Sequence, residues 1–97
     1  MIEIKRLPQF IKWINNTDNV TRVRLNKRLD KVSRGLLGDV KSVGDGVFEM
    51  REHFGAGYRM YYIERGNTLI VMLGGGDKSN QSKDIENAKH LAQTLED

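Results

Sequence analysis

Residues 47–65 read Val-Phe-Glu-Met-Arg-Glu-His-Phe-Gly-Ala-Gly-Tyr-Arg-Met-Tyr-Tyr-Ile-Glu-Arg, two alternating runs split by Gly55-Ala56-Gly57. Successive side chains of a strand point to opposite faces, so this pattern commits the segment to an antiparallel hairpin with two unlike faces. One face receives Phe48, Met50, Phe54, Tyr58, Met60 and Tyr62, which belong in a core. The other receives Glu49, Arg51 and His53 from the first strand, with Arg59 and Tyr61 from the second. Pairing Phe54 with Tyr58 keeps the apolar faces together, and sets His53 opposite Arg59 and Arg51 opposite Tyr61. The polar face is then expected to be a solvent-open patch of two guanidiniums, an imidazole, a carboxylate and a phenol.

The flanking segments supply layers for this hairpin. Met1–Ile4 alternates apolar and charged residues, as a short strand does. Pro8 suits the first turn of a helix, and Leu7, Phe10, Ile11 and Ile14 follow at helical spacing. The Asn-Asn-Thr-Asp-Asn cluster at 15–19 ends that helix and offers caps for a second. In the second helix Leu25, Leu29, Val32 and Leu36 form the apolar stripe, and Gly35 is placed to cap its end. Gly38–Gly46 reads as a loop because its glycines and aspartates favour turns. Strands are expected over 47–54, 58–65 and 68–74, with Gly66-Asn67 as a two-residue turn and Gly74-Gly75-Gly76 ending the last strand. Ser82 can cap a final helix with Asp84 and Glu86 in its first turn and Ile85, Ala88, Ala92 and Leu95 on its buried side. The expected order is β-α-α-β-β-β-α over one domain, residues 1–97: an α+β fold with helices against an antiparallel sheet.

A chain of 97 residues without cysteine can bury one modest core and has no disulfide framework or thiolate metal site. His53 and His90 are too few and too far apart in sequence for a zinc site, so no cofactor is expected. No run approaches a membrane span and no signal-peptide pattern opens the chain; the expected location is the cytoplasm. Charge is uneven: residues 1–34 hold nine Lys/Arg against three Asp/Glu, and residues 35–97 hold seven against ten. Arg22, Arg24, Lys27, Arg28, Lys31 and Arg34 lie mostly off the apolar stripe of the second helix, a basic face suited to a polyanion such as RNA.

Metal-free RNA cleavage needs a base for the ribose 2′-hydroxyl, cations for the phosphate, and an acid for the leaving 5′-oxygen. Arg51 and Arg59 can grip phosphate through paired N–H groups, and Lys78 can add a third charge. His53, Glu49, Tyr61 and Asp77 are the acid–base candidates; Tyr61 can equally be a surface on which a base stacks. Each of these has a plainer use when taken singly, as an ion pair, a solvated strand end or a sheet cover. Their shared face is what points to a site. The stretch Gly74-Gly75-Gly76-Asp77-Lys78-Ser79 is not a nucleotide-binding loop, since Val71 stands where its first glycine belongs and Asp77 precedes the lysine.

Nearly the whole chain resembles the RelE/ParE superfamily of type II toxins, most closely its HigB-like "addiction module killer" branch. The resemblance rests on Gly38-Asp39-Val40-Lys41, Val43-Gly44-Asp45-Gly46-Val47, Glu49-Met50-Arg51, Gly55-x-Gly57-Tyr58-Arg59-Met60-Tyr61, Leu73-x-Gly75-Gly76-Asp77-Lys78-Ser79-x-Gln81 and Asp84-Ile85-x-x-Ala88, in that order. It implies a ribosome-dependent mRNA endonuclease whose partners are the 70S ribosome, mRNA and a cognate HigA-like helix-turn-helix antitoxin. Arg59 matches the family's transition-state arginine, Arg51 a basic position on the preceding strand, and Lys78 a basic position after the last strand. The chain departs from the RelE pattern by having Glu49 where lysine is usual and no tyrosine beyond Tyr62. The same scaffold also serves ParE-like gyrase inhibitors that cut no RNA, and inactive nucleic-acid-binding relatives; these are the alternative readings.

Overall fold

In a computed structural model, which describes residues 1–95, a mixed sheet carries helices on both faces. The elements are β1 (Glu3–Arg6), α1 (Pro8–Asn15), α2 (Asn19–Ser33), β2 (Val40–Gly44), β3 (Val47–Arg51), β4 (Tyr58–Arg65), β5 (Leu69–Asp77), a 3-10 turn (Lys78–Asn80) and α3 (Gln81–Thr94). The five strands lie in the order β1-β5-β4-β3-β2. The chain is therefore α+β, and the sheet is mixed rather than antiparallel, because β1 runs parallel to β5. Backbone bonds from Glu3 N to Thr68 O and from Leu7 N to Met72 O fasten that edge. Among the described residues no helix is long and apolar enough to cross a membrane.

The helices follow from their sequence. Pro8 opens α1, and Phe10 and Ile14 are its buried residues. The Asp18 carboxylate accepts from Thr21 N at 2.8 Å, capping α2. Gly35 leaves α2 with φ +90°, a conformation that glycine adopts without a Cβ penalty. Leu36 lies beyond the helix and is exposed, so the apolar stripe ends at Val32. Phe10, Ile14, Leu25, Leu29 and Val32 pack against Met50, Met60, Tyr62, Ile70 and Met72. On the opposite face Val47, Tyr61, Ile63, Val71 and Leu73 pack under Ala88, Ile85 and Leu91 of α3. Each such aliphatic or aromatic side chain contributes roughly 1.5–3 kcal/mol when fully buried.

Several features depart from the sequence reading. Residues 40–44 are a strand, not loop: the glycines and Asp45 form only the tip of a β2–β3 hairpin, with Asp45 at φ 56° and Gly46 at φ 77°. The β3–β4 register differs by two residues, pairing Arg51 with Arg59 and Glu49 with Tyr61. β3 stops at Arg51, and only one further bond, Glu52 N to Tyr58 O, precedes a broader turn. Gly74–Gly76 lie within β5, opposite Tyr61, Met60 and Arg59, instead of ending it. A Cβ on Gly75 would fall 2.4 Å from the Trp13 ring, and one on Gly76 would fall 1.9 Å from Asp84 Oδ2, so these glycines let α1 and α3 approach the backbone. At the last helix, Asn80 rather than Ser82 holds the N-cap position, and the β4–β5 turn has three residues, Gly66–Thr68.

Candidate functional site

The polar residues singled out on the hairpin do share one end of the sheet. A two-residue register change preserves which side each residue faces, so Glu49, Arg51, Arg59 and Tyr61 remain on a common face. Arg51 and Arg59 stand directly opposite each other. Like charges in that relation oppose folding unless something compensates them. Arg51 has its partner: Asp39 Oδ1 accepts from Nη2 at 2.8 Å and Nε at 3.2 Å. The other Asp39 oxygen lies 2.7 Å from His53 Nε2. Those two hydrogen bonds, that from Arg51 first, lower the Asp39 carboxyl to about 2. Asp39 was absent from the residues read as functional, because it lies in the stretch taken for a loop.

Arg59 is compensated far less well. Its side chain keeps 9% of its surface, and the nearest carboxylate oxygen, Glu49 Oε2, is 3.9 Å from Nε. Nε and Nη1 are buried and have no hydrogen-bond partner. The expectation of an open patch therefore fails at Arg59, Glu49 and Tyr61, which are 8%, 1% and 1% exposed. The start of α3 covers them, through Gln81 Nε2 donating to Glu49 Oε2 at 2.8 Å and Asp84 lying against Gly76. The Tyr61 hydroxyl donates to the same Glu49 oxygen at 3.2 Å, and burial with this carboxylate pushes the phenol's pKa up. Tyr61 is thus no platform for a base. Lys78 is exposed and its stem approaches from the other side: a Cβ on Gly57 would lie 3.8 Å from both Lys78 Cδ and Arg59 Nη1.

The remaining candidates separate. Asp77 accepts from the Ser79 N–H at 2.9 Å and from its hydroxyl, which lowers its pKa and ties it to the β5–α3 turn rather than to Lys78 or His53. Arg28, read as an RNA contact, has all its donors engaged internally: Nε and Nη2 to Leu37 O, Nη2 to Asp39 O, and Nη1 to Arg51 O and Glu52. It braces α2 against the strand ends that carry Asp39 and Arg51. Arg22 donates to Asn15 O and Asn19, and Arg34 pairs with Asp30 at 3.2 Å. Arg24, Lys27 and Lys31 stay exposed on α2.

The family described as phage-derived protein Gp49-like (DUF891) matches residues 12–96. The chain belongs to the Gp49-like family. That family is RelE-like and associated with toxin–antitoxin modules, so membership implies an antitoxin partner. The chain is also 43% identical over 95 residues to an uncharacterized protein of Haemophilus influenzae, covering 97% of this chain and 96% of that one. No solved structure matches it. The matched span contains Asp39, Arg51, His53, Arg59 and Lys78, the whole of the polar cluster.

Proposed function

We propose that this Gp49-like protein is a toxin that cleaves mRNA on the ribosome without a metal, on a RelE-like scaffold with HigB-like features. The observation that carries the reading is the pairing of Arg51 with Arg59, the latter holding two buried N–H groups without a partner. A phosphodiester supplies the negative charge and the acceptors that Arg59 lacks, and it reaches these buried N–H groups when the start of α3 draws back from them. Arg59 then stabilises charge growing on the phosphoryl oxygens, Arg51 and Lys78 hold the same group, and Asp39 keeps Arg51 aimed.

In the reaction the ribose 2′-oxygen forms a bond to phosphorus as the bond from phosphorus to the 5′-oxygen breaks. One proton leaves the 2′-hydroxyl and one arrives on the 5′-oxygen. Imidazole exchanges protons near neutral pH, and His53 is 71% exposed with Nε2 held by Asp39. Its Nδ1 edge is the group assigned to proton transfer. Glu49 and Tyr61 are buried under α3 and serve to seat Arg59.

The experiment is to induce the chain alone and map transcript 5′ ends with translation running and with it blocked. The reading expects new ends at regular positions within codons, only while ribosomes translate. Intact transcripts accompanied by DNA-damage signalling would replace it with gyrase inhibition. Ends that appear equally without translation would remove the ribosome from the account.

A further inference from the structure

A second feature adjoins the site and is not needed to explain the arginine pair. A groove of about 450 Å³ runs between α2 and the chain after β3, walled by Arg24, Lys27 and Lys31 on one side and by His53 and Phe54 on the other. Arg28 and Glu52 also line it, but they pair with each other and bring no net charge. Among the described residues no carboxylate pairs with Arg24, Lys27 or Lys31. These three recur at i, i+3 and i+7, one cationic stripe of about 10 Å along the helix. Opposite them is an aromatic surface: the Arg24 guanidinium sits 4.5 Å from the Phe54 ring centroid, and Phe54 leans on Tyr58 at 5.3 Å. His53 belongs to this groove and, through Asp39, to the arginine pair.

A cationic track facing an aromatic ring suits single-stranded nucleic acid, whose unpaired bases can stack while its phosphates are neutralised. A duplex keeps its bases paired and has no use for Phe54. We propose that this groove holds the nucleotide next to the cleaved bond of a single-stranded RNA, with its phosphate on Lys27 and Lys31 and its base against Phe54 and Arg24. The assignment rests on the nuclease reading and names how its substrate is held. The strand then passes over His53 from the groove to the arginines.

Binding to the intact protein of a fluorescent single-stranded RNA hexamer, 2′-O-methylated so that it cannot be cut, tests this. Phe54→Ala should weaken binding about tenfold or more and Phe54→Trp should preserve it, because stacking needs a ring and not a particular one. Lys27→Gln with Lys31→Gln should reduce the slope of log affinity on log salt by about 0.7, the value for one lost single-strand phosphate contact. A duplex of the same sequence should bind more weakly and be indifferent to Phe54→Ala. Should Phe54→Ala unfold, judged by Trp13 fluorescence, Phe54→Trp and the lysine pair carry the test. Equal binding of duplex, or of an acidic peptide of the same charge, would overturn the proposal. So would an unchanged salt slope. The probe is not cleaved, so groove binding without any nuclease activity counts against the nuclease alone. Full cleavage by groove variants counts against the groove alone.

Discussion

At the scale of single residues, Arg59 is the side chain on which stability and activity pull apart. A buried guanidinium with two unmade hydrogen bonds and a carboxylate at 3.9 Å is a poor contributor to folding. Arg59→Met combined with Glu49→Gln keeps much of the packing and removes both charges of this loose pair, so no buried carboxylate is left without its cation. Its expected thermal stability is equal to or above that of the parent, while the cleavage rate falls about a hundredfold or more. A joint loss of both, seen in melting curves and rate assays, would mark Arg59 as structural. Asp39 makes the opposite case. Its carboxyl is held down to about 2, so it contributes stability that is complete above the ordinary aspartate value of about 3.9 and is lost as pH falls through about 2. Asp39→Asn should flatten that stretch of the stability–pH curve, measured by urea unfolding. It should also leave His53 Nε2 without its carboxylate partner, read from ring nitrogen shifts.

At the scale of elements, close approach and bracing decide where the site sits. Gly76 admits Asp84 at the start of α3, and a Cβ there would reach to 1.9 Å from its oxygen. Gly76→Ala should cost about 1–3 kcal/mol through overpacking, and Asp84→Ala should recover most of that loss in the double variant. Arg28 is the brace between α2 and the ends of β2 and β3; Arg28→Ala leaves the Leu37 and Arg51 carbonyls unmatched and Glu52 without its cation, at a cost of about 2–4 kcal/mol. Lys27→Gln, on the exposed side of the same helix, should stay within about 0.5 kcal/mol of the parent in chemical denaturation. The sequence made the two faces of the hairpin legible, because alternation survives an even shift in register. It did not make burial legible: nothing in Glu49-Met50-Arg51 says that Gln81, 32 residues on, will close over the glutamate. Asp39 was hidden for a related reason. Its partners are 12 and 14 residues away, across a hairpin whose first strand, Val-Lys-Ser-Val-Gly, is followed at once by further turn formers, Asp45 and Gly46. The triple glycine misled in the same direction, since it marks where helices touch a strand and not where the strand stops.

At the scale of the whole molecule, a strand end rich in cations adjoins a helix that carries more of them. Helices α1 and α2 cover one face, α3 covers the other, and the polar cluster lies where the start of α3 meets the ends of β3 and β5. The excess of basic residues in the first 34 is not uniformly available, since Arg22, Arg28 and Arg34 are engaged within the chain. Of the six others, Arg24, Lys27 and Lys31 line the groove beside the site. The central claim is that Arg51 and Arg59 together hold a scissile phosphate. The most direct measurement is single-turnover cleavage of a ribosome-bound mRNA by the parent protein, Arg51→Met, Arg59→Met and the double variant, each first shown to be folded. The account predicts that each single change slows cleavage about a hundredfold or more and that the double change costs less than the product of the two, as groups acting on one phosphate do. Cleavage at the parent rate by a folded Arg59→Met protein would contradict it.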